Sequence, residues 1–455
     1  MKQFDVIIIG AGPAGIITGA TAKRVHPEKS ILMFREENKG LVPCGIPYVF
    51  HQLNGVEKNM SGPKPFIDLG GVVETDTVSD VNTKEHTLTT ASGQSYKYNK
   101  LVFATGSKAV IPTFIPGHDL KQVYYIKKSY AYIEHLFEEL KSKQRVVVIG
   151  GGFIGAEVAE ELAHHSDKKV TIIESEAQCF SKAFSSSLSE IATNELRKTN
   201  VDVHTSSKVK TLNGTDGTVT SVSLSNGETI ECDAVIMAIG YRPNTDLAKK
   251  AGLELNKRGA IKVDNYERTE TEDVCAVGDC SQTVGFLTGR SDYIMLASTA
   301  TAEARVLGHN LFGVKIRKIF NGTLAVFSTQ INGLAMAAAG VNATTAKAAN
   351  INVLTGEFSD FNTHPSKFEH TSQLSVRLYA SPCDGSILGG EAWGSKSAAE
   401  IINTISLAIQ KDVTVFELIS FQIGSHPLLT ASPTKTILIK TAEKIIDQIE
   451  SMKKS

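Results

Sequence analysis

The stretch Val6-Ile7-Ile8-Ile9-Gly10-Ala11-Gly12-Pro13-Ala14-Gly15 decides the fold of this chain. Its unbroken β-branched run marks a strand buried on both faces, as in a parallel sheet. The run flows into G-x-G-x-x-G, then a helical pattern from Ile16 to Val25 and a second strand pattern, Ile31-Leu32-Met33-Phe34. Strand, glycine turn, helix and strand in this order specify a dinucleotide-binding unit. Gly10 makes the tight turn, Gly12 lets the backbone approach a pyrophosphate, and Gly15 allows close packing of helix on strand. Pro13 and Ala14 complete the turn, and the helix N-terminus offers unpaired N–H groups to the phosphates. A carboxylate usually closes the second strand of such a unit to hold a ribose. Here Arg35 stands at that place and Glu36 follows it. Either Glu36 takes the ribose through a one-residue shift, or Arg35 meets the adenosine differently.

The same grammar returns at Val146-Val147-Val148-Ile149, Gly150-Gly151-Gly152-Phe153-Ile154-Gly155, a helix to Ala163, and Val170-Thr171-Ile172-Ile173-Glu174. Glu174 closes the second strand about twenty residues past the last glycine, where a carboxylate binds a ribose 2′-OH. That charge repels a 2′-phosphate, so this unit should prefer NADH to NADPH. Two dinucleotide units in one chain imply two cofactors that pass electrons between them.

The rest of the composition narrows the class by exclusion. The chain has 455 residues, 42% of them hydrophobic and 21% charged, with a formal net charge of −1. A chain of this length divides into several domains. There is no basic excess to suggest nucleic acid and no apolar run long enough to suggest a membrane span. The apolar N-terminus is broken by its glycines and lacks a basic leader, so a cytoplasmic protein is expected. Six cysteines (Cys44, Cys179, Cys232, Cys275, Cys280 and Cys383) are too sparse for a disulfide scaffold and show no zinc-like spacing. No metal is expected, and any cysteine that matters should act by redox or nucleophilic chemistry.

Further segments carry a family resemblance. Leu101-Val102-Phe103-Ala104-Thr105-Gly106, Ala238-Ile239-Gly240-Tyr241-Arg242-Pro243-Asn244, Val274-Cys275-Ala276-Val277-Gly278-Asp279 and Cys44-Gly45-Ile46-Pro47-Tyr48 all match motifs of one family. With the two glycine turns, the whole chain resembles the FAD-dependent pyridine nucleotide–disulfide oxidoreductases. The match is to their single-cysteine branch, which includes coenzyme A-disulfide reductases, NADH oxidases, NADH peroxidases and persulfide or polysulfide reductases. The resemblance implies an α/β chain with two Rossmann-like domains and a C-terminal α+β dimerisation domain. The expected division is 1–115 with 246–322 for FAD, 116–245 for NAD, and 323–455 for the interface of a homodimer. Flavin-side contacts are then expected from the first glycine turn, Val78, Ala104, Thr105, Gly106, Gly278 and Asp279. Gly240 lies on the return from the NAD domain. Phe153 matches the aromatic that gates the nicotinamide pocket, and Glu157 the glutamate near the flavin edge. The plain alternatives are ordinary packing for Phe153 and a solvated helix position for Glu157.

Two-cysteine relatives carry a second cysteine five positions after the first, and here that position is Val49. Cys44 would therefore work alone, cycling between thiolate and a mixed disulfide, persulfide or sulfenic acid. A helix from Pro47 to Leu53 would set Cys44 near its N-terminus and favour the thiolate. Cys275 and Cys280 read as structural. For proton transfer, Ser425-His426-Pro427 resembles the element that presents a catalytic histidine to the partner subunit, although the orienting glutamate is replaced by Ala431. His364-Pro365 falls near the place where coenzyme A-disulfide reductases carry an interface tyrosine.

The acceptor is less clearly marked. Peroxidase and water-forming relatives have a histidine at the position of Pro13, so Pro13 counts against a dedicated peroxidase or water-forming oxidase, while slow hydrogen-peroxide formation by the reduced flavin stays open as a side reaction. Arg24 matches a basic residue that contacts coenzyme A phosphates, and Lys23 beside it reads as exposed on the same helix. Pro43 and absent tyrosines weaken that match, and no appended rhodanese domain is expected, the chain closing in a helix from Ala442 to Met452. The favoured activity is NADH-dependent reduction of a small disulfide, persulfide or polysulfide, with coenzyme A derivatives first. The alternatives are a hydrogen-peroxide-forming NADH oxidase, an electron-transfer reductase for a small redox protein, and a flavin-binding sensor.

Overall fold

Val6, Ile7 and Ile8 are wholly buried at the centre of a seven-stranded sheet. Burial of each such side chain contributes about 1.5–3 kcal/mol, which explains why this run admits no polar residue. The computed structural model describes residues 1–315, 319–364 and 367–454. In the first sheet, Lys2–Ile9 pairs in parallel with Ile31–Arg35 on one side and Ser95–Phe103 on the other. Val72–Thr75 extends it beyond Ile31–Arg35, and Thr87–Thr90 and Val78–Asn82 continue it antiparallel. After a long excursion, Val274–Ala276 returns to pair with Ser95–Phe103. The helices Pro13–Val25 and Ala297–Asn310 lie together on one face, close enough that a Cβ on Gly308 would press on Thr21.

The second sheet has five parallel strands in the order Val123–Tyr125, Ala234–Met237, Arg145–Ile149, Lys169–Ile173 and Val201–His204. It joins the first through a ribbon in which Ser107–Ala109 pairs with Tyr241–Pro243. Thr105 Oγ1 donates to the Asn244 carbonyl at 2.6 Å, and Asn244 Nδ2 donates back to the Thr105 carbonyl at 3.1 Å. The A-T-G and G-x-R-P-N segments are thus the two sides of one crossing point.

The third sheet is antiparallel, in the order Phe327–Ile331, Leu334–Gly340, Ile387–Gly394, Gln373–Ala380 and Leu354–Phe361. Its strands alternate in destination. Ala337, Val376 and Ala392 pack beneath the helices Ala398–Gln410 and Ile437–Lys454, whereas Met336, Ala338 and Trp393 join the core of the second unit. The chain is therefore α/β with two parallel-sheet dinucleotide units and a C-terminal α+β unit. We propose the division 1–115 with 246–322, 116–245 and 323–455, since the strands of each of these sheets fall within one of those spans. Among the described residues, no helix is long and apolar enough to cross a membrane.

Two expected elements differ. The last helix is Ile437–Lys454 rather than Ala442–Met452, because Ile437, Leu438 and Thr441 are buried against the third sheet. That packing outweighs the weaker helical tendency of the β-branched Ile437 and Ile439. The helix expected over Pro47–Leu53 is only a 3-10 turn, Pro47–Phe50. Gln52 gives its N–H to Glu161 Oε2 at 2.8 Å instead of to a helical carbonyl.

Candidate functional site

The two glycine turns are built alike. Gly10 and Gly150 have φ of +115° and +109°, backbone that only glycine adopts without strain. A Cβ on Gly15 would overlap the Gly10 carbonyl, and one on Gly155 the Gly150 carbonyl. By contrast, Gly12 and Gly152 face open space, where an added Cβ would meet nothing within 4 Å. Each middle glycine also caps a helix that starts without any side-chain cap, Pro13–Val25 and Phe153–Ala163. Uncapped N–H groups beside a side-chain-free backbone fit the pyrophosphate of a dinucleotide. Around the second turn, Glu174 Oε2 accepts the Gly151 N–H at 2.6 Å, which sets its carboxylate at the lip of the turn. Phe153 is half-buried and packs edge-on against Phe180 and Phe327.

The first turn gathers the other flavin-side candidates. A Cβ on Gly278 would press on Ala14, so the Val-Gly-Asp segment lies directly against the first helix. Asp279 Oδ2 accepts from Ser107 Oγ at 2.7 Å and Lys128 Nζ at 2.8 Å, next to the Thr105-Gly106 crossing. The Ala104 N–H bonds the Ile9 carbonyl at 2.9 Å, and Gly240 accepts the Val110 N–H at 3.0 Å. Val78 begins the outermost strand of the first sheet and is buried. Arg35 donates to Thr75 Oγ1 and Asn38 Oδ1, while Glu36 is exposed beside it.

Cys44 is exposed on a 3-10 turn, Pro43–Gly45, immediately before the turn Pro47–Phe50. The expected helix dipole at Cys44 is thus replaced by two short turns. Asn59 fixes the loop: its Nδ2 donates to the Val42 carbonyl at 3.0 Å, and its Oδ1 occupies the space a Cβ on Gly45 would need. Val49 is wholly buried, and Cys275 and Cys280 lie in the core of the first sheet. Burial pushes the Cys275 thiol up to about 12, so it stays protonated at neutral pH.

The two histidine segments meet each other. His364 Nδ1 donates to the Thr430 carbonyl at 3.0 Å, and its own N–H bonds the Pro427 carbonyl at 3.2 Å. Pro365 lies outside the described residues. His426 Nδ1 accepts the Leu428 N–H at 3.2 Å, and the ring is exposed. No hydrogen bond or ring contact brings either histidine to Cys44 within the chain, among the described residues. Arg24 is exposed as expected, but Lys23 is not. Its buried ammonium donates to the carbonyls of Pro27 and Lys29 at 2.8 and 3.0 Å, satisfying the chain end of the helix rather than a ligand.

Known proteins share this architecture. Residues 4–304 match the family model of the pyridine nucleotide-disulphide oxidoreductases, and residues 325–437 that of their dimerisation domain. The chain belongs to this family. It is 28% identical over 427 residues to an NADH oxidase of Enterococcus faecalis, covering 91% of this chain and 94% of that protein. It is 32% identical over 352 residues to an NAD(P)H coenzyme A polysulfide/persulfide reductase of Pyrococcus horikoshii, covering 75% and 76%. The solved structure of an NAD-dependent persulfide reductase from A. fulgidus superposes with a TM-score of 0.89 at 27% identity, covering 98% of this chain and 84% of that one. This pyridine nucleotide-disulphide oxidoreductase is accordingly an NAD(P)H-dependent flavin enzyme with a dimerisation domain.

Some residues around the site of this oxidoreductase carry no signal in the sequence. Asn59 holds the Cys44 loop from the far side of a two-stranded ribbon, Gly40–Leu41 with Met60–Ser61. Glu37, next to the ambiguous Arg35-Glu36 pair, accepts the N–H of Tyr130 at 2.8 Å at the start of the helix Tyr130–Lys141. Thr329 donates to Glu157 Oε1 at 2.7 Å from the third sheet, so Glu157 is buried and bonded rather than solvated.

Proposed function

We propose that this oxidoreductase uses NADH to reduce small disulfides, persulfides or polysulfides, coenzyme A derivatives first, through FAD and the single cysteine Cys44. The observation that carries this reading is the pairing of an exposed Cys44 with a wholly buried Val49 at the position of the second cysteine. Bound FAD supplies the relay of an electron pair between nicotinamide and sulfur. The chain does the rest. The Cys44 thiolate attacks a substrate sulfur, the substrate S–S bond breaks, and a mixed disulfide forms at Sγ while the leaving sulfur takes a proton. The electron pair from NADH then cleaves the mixed disulfide, restoring the thiolate and releasing the second sulfur as a thiol. The first glycine turn, Gly278 and Asp279 would hold the flavin; Gly150, Gly152, Gly155 and Glu174 would hold the nicotinamide dinucleotide. Arg24 is the exposed candidate for a coenzyme A phosphate.

A homodimer is part of the same proposal. Phe416, Ile419, Phe421, Leu428 and Leu429 are exposed in the segment that carries His426, apolar surface suited to burial against a second copy. His426 and His364 would then face the partner's Cys44. The oxidase reading rests on the Enterococcus relative, whose match spans nearly the whole chain. Pro13, which has no side-chain proton, speaks against a water-forming oxidase but not against slow hydrogen-peroxide formation by the reduced flavin.

Turnover with NADH and a panel of coenzyme A disulfide, coenzyme A persulfide, polysulfide, peroxide and oxygen tests the proposal. Saturable kinetics with one sulfur acceptor supports it, and turnover with oxygen alone sinks it. Nucleotide choice has its own check. Glu174→Ser should raise the kcat/KM ratio of NADPH to NADH by roughly 10–100-fold, the worth of a charge-assisted hydrogen bond. An unchanged ratio would remove Glu174 from the ribose site.

A further inference from the structure

Two units of the fold meet on one carboxylate of the flavin side, and the cation that holds it comes from the other unit. Asp279 lies in the 3-10 turn Gly278–Cys280, and its Oδ2 accepts from Lys128 Nζ at 2.8 Å and from Ser107 Oγ at 2.7 Å. Lys128 Nζ also donates to Ser107 Oγ at 2.7 Å, so ammonium, hydroxyl and carboxylate close a triangle. Among the described residues, Asp279 Oδ1 accepts no hydrogen bond. Ser107 belongs to the ribbon that joins the two parallel sheets. Lys128 instead stands between the strand Val123–Tyr125 of the second sheet and the helix Tyr130–Lys141.

An exposed lysine–carboxylate pair contributes little, because water and salt screen it and both side chains lose freedom. This pair is largely covered: 29% of the Lys128 side chain and 13% of the Asp279 side chain are exposed. The ring of Tyr241 lies beneath the ammonium, its centroid 4.8 Å from Nζ, and adds a cation–π contact. Tyr241 is itself fixed, its hydroxyl donating to the Ile126 carbonyl at 2.6 Å and its strand Tyr241–Pro243 pairing with Ser107–Ala109. Burial, and then the charge of Asp279, hold its phenol above the usual range, so it stays neutral. The segment carrying Lys128 is tied to the first unit a second time, where Glu37 Oε2 accepts the N–H groups of Tyr130 and Ala131 at 2.8 and 3.3 Å. Lys128 therefore reaches Asp279 from a backbone already fixed against the first unit.

We propose that Lys128 is a positioning residue for the flavin, acting through Asp279 across the junction of the two units. By holding Oδ2 together with Ser107, it fixes the rotation of the carboxylate and leaves Oδ1 to accept from a flavin hydroxyl. Its charge also offsets the cost of keeping a carboxylate in a largely closed site. Without it, Asp279 keeps one neutral donor, the Ser107 hydroxyl, and turns more freely. The second unit thus contributes to flavin retention through a lysine outside both glycine turns. This inference rests on the reading that Asp279 holds the flavin, and the test separates the two.

The measurement is flavin release from the diluted holoprotein, followed as the rise in free-flavin fluorescence, and it needs no turnover. Lys128→Met, which keeps the reach of the side chain but not its charge, should speed release roughly tenfold or more, the worth of one charge-assisted hydrogen bond. Lys128→Arg should stay within about threefold of the natural chain, since a guanidinium also offers donors to both oxygens. Asp279→Ala should release flavin fast by itself. Adding Lys128→Met to Asp279→Ala should change the rate by less than about twofold, because the lysine then has no carboxylate to hold. Natural release from Lys128→Met, with Asp279→Ala fast, refutes the assignment. An undiminished effect of Lys128→Met in the Asp279→Ala chain refutes it too, since the lysine then acts elsewhere. If Asp279→Ala retains flavin as the natural chain does, it is the flavin reading of Asp279 that fails, and the role of Lys128 falls with it.

Discussion

The Cys44→Ser chain is expected to lose NADH-dependent reduction of disulfides and persulfides by about a thousandfold or more, while still binding flavin and accepting hydride from NADH. The size follows from the chemistry. Only a thiolate both attacks a disulfide and forms a bond that two electrons cleave again, and a serine oxygen does neither. The specificity of the loss follows from the position. Cys44 is exposed on a short turn and fills no part of the core, so the exchange should change stability by no more than about 0.5 kcal/mol. No other thiol stands in for it at the same place. Burial pushes Cys179 and Cys232 up to about 12, Cys280 lies in the core behind Phe103, and Cys383 sits on a turn of the C-terminal sheet. Anaerobic mixing with NADH should bleach the flavin band at the natural rate, and addition of a disulfide should fail to restore it. Undiminished turnover of a sulfur acceptor would overturn the mechanism. Turnover retained with oxygen alone would point to the oxidase reading.

How much of this could be read in the sequence depends on how local each feature is. The glycine turns were legible because their demands are met within one strand–turn–helix: a positive φ at Gly10, a Cβ overlap between Gly15 and Gly10, and open space at Gly12. Glu174 was legible for the same reason, since it lies one helix and one strand from its turn. The Glu157–Thr329 contact was not. Glu157 lies on a helix of the second unit and Thr329 on a strand of the third sheet, and only the docking of those units brings them together. Two misreadings have separate causes, one local and one between units. Periodicity places Lys23 on an outward face, but its long side chain turns back onto the Pro27 and Lys29 carbonyls. Pro47 and the residues after it have a helical look, but Glu161 from the second unit captures the backbone of Gln52.

Glu391 shows the same limit and carries the largest expected effect on stability. It lies in the strand Ile387–Gly394 between small and apolar neighbours and is wholly buried. Its carboxylate accepts the Ser185 N–H at 2.6 Å, Ser185 Oγ at 2.8 Å, and both Arg377 Nη1 and the Tyr379 hydroxyl at 2.9 Å. Ser185 caps the helix Ser186–Arg197 of the second unit, so the negative charge also meets a favourable helix end. Glu391→Ala would leave the Arg377 guanidinium partly unpaired and strand the Ser185 and Tyr379 donors in the interior. Breaking a buried pair on one side costs about 3–5 kcal/mol. For a unit the size of the C-terminal domain, that corresponds to a fall of roughly 6–20 °C in Tm. Glu391→Gln, which keeps the shape and an acceptor oxygen but not the charge, should fall between. Because Glu391 ties the third sheet to the second unit, calorimetry should also show the single transition broadening or splitting. A Tm within about 2 °C of the natural chain would mean that Arg377 is satisfied by Glu357 alone, which it already contacts at 2.7 Å, and that the junction is held by apolar packing of Met336, Ala338 and Trp393 instead.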